Sequence, residues 1–200
     1  MHCNLPDSGL VGVGADSIEH GQALSRPELD ALGARGGAWT PTLCAVLGRR
    51  DSPDPEVRRQ VGELRERLRD HLSYAVAHGV RILAGNDVVG TIAEEIALLS
   101  DHGLTVEQAI AAAGSIARDF LGIHPDGDIV TYDDDPRDDP GVLARPAAVV
   151  VRGVRVTLGS GRSVWPCSRL RAGPVNSRQP RPTPHVRRAC GRAVSAVRRR

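Results

Sequence analysis

Between Ser17 and Gly122, short apolar runs alternate with capped helical periods, and this alternation constrains the fold more than any other feature of the chain. Strands separated by helices at this spacing argue for an α/β architecture with parallel strands. Ser17-Ile18-Glu19-His20 reads as a short strand with a polar exit. Ser25-Arg26-Pro27-Glu28 fits a capping box with proline near the first helical position, and it opens a brief helix stopped by glycines. Ala38 to Leu47 is a strand candidate that Pro41 ends, because proline is disfavoured within a central strand. From Pro55 to His78, the residues Val57, Val61, Leu64, Leu68, Leu72, Ala75 and Ala77 fall near helical spacing, and Gly79 supplies the stop. Val80 to Ala84 follows as a buried strand and Thr91 to Asp101 as another helix. Thr105-Val106-Glu107-Gln108 is a second capping box, opening a helix that runs on to Gly122.

Composition bounds the class. The chain has 200 residues, 25% charged and 40% hydrophobic, enough for one soluble domain with a sizeable core. Its longest apolar runs, such as Ala147 to Val151, fall well short of the ~20 residues a bilayer requires. The N-terminus shows no charged segment leading into an apolar one, so the expectation is a cytoplasmic protein with no membrane partner. Cys3, Cys44, Cys167 and Cys190 lie far apart with no C-x-x-C pair, which predicts free thiols rather than a zinc ribbon or a disulfide framework.

Charge divides the chain. All 24 acidic residues precede Pro140, together with 12 of the 26 basic ones; the remainder carries 14 arginines and no acid. Every basic residue is arginine. These shifts suggest an α/β body over 1–122, a small β unit over 123–158, and a disordered Arg/Pro-rich tail over 159–200. The acidic run Asp133 to Asp139 reads as a solvated turn, because it lacks the glycine and terminal glutamate of a calcium loop. His71, His78 and His102 sit on or beside helices and are expected at the surface.

Two residues share a position type that carries chemistry. His20 ends one putative strand, and Asp87 ends another in the stretch "RILAGNDVVG". In a (β/α)₈ barrel, the C-terminal strand ends converge on one site, so residues distant in sequence meet there. Imidazole nitrogen and carboxylate oxygen are both ligands for Zn²⁺ and related ions. Spacing alone leaves open a hydrogen-bonded structural histidine and a simple Asn-Asp turn.

The segments "GADSIEHG", "AWTPTL", "GVRILAGNDVVGTIAEEIALLSDHGLTVEQAIAAA", "ARDFLG" and "GDIVTYDDDPRDDPGVLARPAAVVVRGVRV" resemble, in this order, the C-terminal half of the amidohydrolase superfamily. The similarity runs over roughly Gly14 to Val156, with its nearest likeness among imidazolonepropionase-like and Xaa-Pro-dipeptidase-like members. The resemblance implies the C-terminal half of a TIM-type (β/α)₈ barrel, with a partial β-sandwich appendage. His20 matches the ligand histidine that ends the sixth strand, and Asp87 matches the aspartate that ends the eighth. The implied cofactor is Zn²⁺ or another divalent metal, which lowers the pKa of bound water to roughly 7. Asp87 would be the catalytic residue, passing a proton from the attacking water to a leaving amine. Trp39, Thr40, Thr42 and Asn86 would line the substrate pocket. His2 matches either the second histidine of a fifth-strand pair or, after a two-residue deletion, the ligand itself.

Departures from the pattern set the remaining expectations. No His-x-His occurs, and with no lysine a bridging carbamate cannot form within the chain. Asn86 stands where threonine is usual. The expected function is hydrolysis of a C–N bond in a small amide, cyclic amide or dipeptide-like substrate, by a C-terminal fragment inactive alone. Its partners would be the missing N-terminal half or a second copy. The alternative is a non-enzymatic α/β remnant whose Arg-rich tail binds nucleic acid.

Overall fold

The computed structural model describes residues 2–3, 9–123 and 127–158, all within one compact unit, Met1–Cys167. Its centre is a parallel sheet of four strands in chain order: β1 (His2–Cys3), β2 (Ser17–His20), β3 (Ala38–Thr40) and β4 (Arg81–Ile82). Cys3 lies opposite His20, Ile18 opposite Trp39, and Trp39 opposite Ile82. The row Ile18–Trp39–Ile82 is buried and belongs to one core with Leu29, Leu32, Leu68, Leu72 and Leu99. Burying each of these large side chains stabilises the fold by roughly 1.5–3 kcal/mol.

The helices form where the sequence supplies both a start and an apolar stripe. α1 (Arg26–Ala34) begins at Ser25, whose backbone N–H and hydroxyl both donate to Glu28 Oε2 at 2.9 Å. Pro41 ends β3, and the chain turns at Thr42 into α2 (Leu43–Val46). α3 (Pro55–Ala77) is capped by Asp54, which accepts from the Glu56 amide at 2.9 Å, and it buries Leu68, Leu72 and Ala75 on one face. Its solvent face carries Arg59 paired with Glu56 and Glu63. α4 (Ile92–Asp101) and α5 (Val106–Ala113) both open on complete capping boxes, Thr91 with Glu94 and Thr105 with Gln108. Gly33 lets α1 approach the end of α3, since a Cβ there would sit 2.1 Å from the His78 carbonyl oxygen.

Two expectations change. The helix predicted from Thr105 onward is broken at Gly114 (φ −130, ψ −98), which leaves the helical region and starts α6 (Ser115–Phe120). Glycine has no Cβ to hold the helical geometry there. His102, expected at the surface, is fully buried: its Nδ1–H donates to Leu98 O at 2.6 Å, while Nε2 is buried without a partner. His71 is half-buried, and of these three histidines only His78 is exposed. Burial depresses the pKa of both His71 and His102 below the usual histidine value.

After α6, an antiparallel sheet forms from β5 (Ile129–Thr131), β6 (Ala148–Val151) and β7 (Val154–Val156), with a 3-10 turn at Pro140–Ala144 between β5 and β6. The register aligns Val130, Val149 and Val156 across its three strands. No helix of the described residues is long and apolar enough to cross a membrane. The arginine-rich segment over 159–200 lies outside the described residues.

Candidate active site

The C-terminal ends of β1 and β2, the turn after β3 and the loop after β4 bring together His2, His20, Thr42 and Asp87. His20 has φ 66, a left-handed backbone that turns the chain out of β2. The turn is held from below: the Trp39 indole N–H donates to His20 O at 2.8 Å, and a Cβ on Gly21 would lie 2.8 Å from that indole nitrogen. Trp39, expected to line the pocket, is fully buried and serves instead as the anchor of this turn. Thr40 is buried in the core beside it.

Thr42 fixes the His20 ring. His20 Nδ1 lies 2.7 Å from Thr42 Oγ1, and the Thr42 hydroxyl lies 2.8 Å from Pro41 O, to which it donates. Thr42 has one hydroxyl proton, so both contacts are satisfied together only when His20 Nδ1–H donates to Thr42 and Thr42 donates to Pro41. Hydrogen bonding of one ring nitrogen sets the tautomer of the other. His20 Nε2 is therefore left with its lone pair.

That nitrogen faces two further groups. His2 Nδ1 lies 3.0 Å from it, and Asp87 Oδ2 lies 3.9 Å from it. The His20 side chain is 13% exposed and that of Asp87 46%, so the site opens to solvent on the Asp87 side. Asp87 and Val88 both have left-handed backbones (φ 49 and 57) in a turn closed by the Asn86 side-chain amide, which donates to Gly90 O at 2.8 Å. Asn86 thus builds the loop that carries Asp87. Among the described residues, four of the five non-glycine residues with positive φ are His20, Thr42, Asp87 and Val88. Left-handed backbone at such residues costs of order 1–3 kcal/mol each, and it concentrates at functional sites.

The metal expectation can be tested on these distances. Ligand atoms at about 2.0–2.1 Å from a tetrahedral zinc lie roughly 3.3–3.4 Å apart, and the two separations from His20 Nε2 bracket that value. No group of three His, Cys, Asp or Glu side chains among the described residues is gathered closely enough to hold an ion. His20 and Asp87 fit as part of a ligand set, but the described residues do not complete one.

Glu95 was not anticipated as part of this region. It is fully buried on α4, and its two oxygens accept from the Leu43 and Cys44 amides at 2.8 Å each. Burial raises its pKa, opposed by those backbone hydrogen bonds. The Cys44 thiol is pushed up to about 12 by burial and by the neighbouring Glu95 carboxylate, so it is neutral and no nucleophile. The signal for Glu95 is its place on the buried stripe of α4 with Ile96 and Leu99. A cavity of about 430 Å³ lies elsewhere, lined by Val80, Ile82, Leu104, Ile116, Arg81 and Asp119.

Comparison with known proteins agrees with this architecture. No family model matches the chain. An uncharacterized protein of Mycobacterium tuberculosis is 32% identical over 160 residues, spanning 72% of this chain and 43% of that protein. A Xaa-Pro dipeptidase solved with methionine in its active site superposes with a TM-score of 0.62 and 24% identity, over 73% of this chain and 41% of that one. Ochratoxinase of A. niger superposes with a TM-score of 0.63 and 20% identity, over 76% and 40% of the two chains. The chain therefore spans less than half the length of these relatives. Parallel strands in chain order, flanked by helices, define the class as α/β. The likeness to these solved structures, each under 25% identical, is a likeness of fold.

Proposed function

We propose that this chain supplies part of the active site of an amidohydrolase-type hydrolase that cuts a C–N bond in a small amide, cyclic amide or dipeptide-like substrate. The observation that carries the reading is the 3.9 Å approach of His20 Nε2 to Asp87 Oδ2 at the ends of nonadjacent strand segments. The dipeptidase and amidohydrolase names of the structural relatives support the C–N assignment. In this reading, the four parallel strands are half of a (β/α)₈ barrel and β5–β7 belong to a composite β-sandwich. A divalent metal such as zinc would be held by His20 and Asp87, with His2 beside them, and the rest of its ligands would come from outside the described residues. When bound, such an ion supplies an activated water at neutral pH.

The chain's own residues prepare the site. Thr42 holds His20 in the tautomer whose Nε2 lone pair is available. The Asn86 turn presents the Asp87 carboxylate to solvent, where it can accept a proton from water and return it to a leaving nitrogen. A complementary barrel half, or a second copy of the chain, would cover the open sheet edges.

The test is calorimetric zinc titration of the chain, with His20→Ala and Asp87→Ala beside it, followed by assay of an Xaa-Pro dipeptide and an N-acyl amino acid. The reading expects weak zinc binding that either substitution abolishes, and loss of any hydrolysis in Asp87→Asn. Zinc binding that survives both alanine variants would sink it.

A further inference from the structure

The short helix α2 has an unusual cap. Thr42 occupies its N-cap position, where a threonine hydroxyl ordinarily accepts from the second or third amide of the helix. Here Thr42 makes no such bond: its backbone is left-handed (φ 51, ψ 49) and its hydroxyl is engaged by His20 and Pro41. The orphaned amides of Leu43 and Cys44 go instead to Glu95, one oxygen each. All three groups are buried, so neither amide has water to fall back on.

We propose that Glu95 is a positioning residue for the His20 imidazole: by capping α2 in place of Thr42, it leaves the Thr42 hydroxyl free to hold His20 Nδ1–H. Glu95 also ties this turn to the loop that carries Asp87. It lies on the first turns of α4, whose N-cap Thr91 follows that loop directly, and the Cys44 thiol reaches Thr91 O at 3.9 Å. Gly90 packs on the same cysteine, where a Cβ would stand 3.2 Å from Sγ. One buried carboxylate therefore fixes both halves of the site relative to each other.

Without the carboxylate both buried amides lose their acceptor, and the Thr42 hydroxyl at the N-cap of the same helix is drawn toward them. It then abandons His20, whose proton moves toward Nε2. This role rests on His20 being a site residue, but its readout requires neither metal nor substrate.

The experiment is long-range ¹H–¹⁵N correlation of the histidine rings, which reports the tautomer of His20 directly. Wild-type protein should show the Nδ1–H form. Glu95→Gln and Thr42→Val should each move the tautomer ratio toward Nε2–H by about tenfold, the worth of one hydrogen bond. Because Glu95 acts through Thr42, the double variant should match Thr42→Val alone. A Glu95→Gln protein that is less stable but keeps the wild-type ratio overturns the proposal, as does a double variant in which the two shifts add. Should Glu95→Gln fail to fold, Glu95→Asp, too short to reach both amides, should shift the ratio severalfold; an unchanged ratio again overturns it. If the tautomer shifts appear but zinc leaves His20 undisturbed, the hydrolase reading fails and the positioning role stands.

Discussion

His20 Nδ1 meets Thr42 Oγ1 at 2.7 Å, and both residues carry left-handed backbones although neither is glycine. The contact joins the end of β2 to the turn after β3, and it is the step by which a fold of short strands acquires an oriented imidazole. Thr42→Val keeps the shape and removes the hydroxyl. It leaves the Pro41 carbonyl and His20 Nδ1–H without their partner, which should cost about 1–3 kcal/mol in urea unfolding. An unchanged midpoint would show that the chain through Thr42 is not formed.

The loop beyond Asp87 stores strain that a substitution should release. Val88 is 94% exposed, so it gains nothing from burial, yet its φ is 57. Asparagine tolerates this conformation far better than a β-branched residue does. Val88→Asn should raise stability by about 0.5–1 kcal/mol in urea without removing the Asp87 carboxylate. A lower midpoint would mean that the loop is not held left-handed.

His102 makes folding sensitive to mild acid. Burial is the main cause of its lowered pKa, the Arg65 and Arg69 charges add to it, and Leu98 O and Asp101 oppose it. A histidine whose folded pKa lies below its unfolded value of about 6.5 binds protons more readily when unfolded, so stability is full above that pH. It should fall as the pH drops from 6.5 toward the depressed folded value, at no more than about 1.4 kcal/mol per pH unit for this one group. Half-buried His71 acts in the same direction. Urea midpoints at pH 7.5, 6.5 and 5.5 for wild type and His102→Gln isolate the effect. Equal pH slopes in the two proteins would refute it.

Local rules carried much of the fold. The caps at Ser25 and Thr105, the stop at Gly79 and the end of β3 at Pro41 are decided by residues within four positions of one another, so the sequence displays them. What it hid depends on distant partners. Glu95 looks like an ordinary acidic residue of a capped helix until Leu43 and Cys44 arrive from more than fifty residues away. His102 reads as a polar residue after a helix, although its spacing from Leu99 puts it on the buried stripe under α3. Trp39 was assigned to the pocket through the resemblance, whereas β3 is buried along its whole length and Trp39 lies in the core. The pairing of His20 with Asp87 was legible through resemblance; their spacing alone left it undecided.

The central claim is that His20 and Asp87 answer to one and the same ion. The most direct measurement is a zinc titration followed by NMR, reading the His20 ring nitrogens and the Asp87 side-chain carboxyl carbon in one sample, since spectra register even millimolar binding. The account predicts that Nε2 of His20 and the Asp87 carboxyl shift along a single binding curve, and that Asp87→Ala flattens the response of His20. Separate curves, or a His20 response untouched by the loss of Asp87, would contradict it.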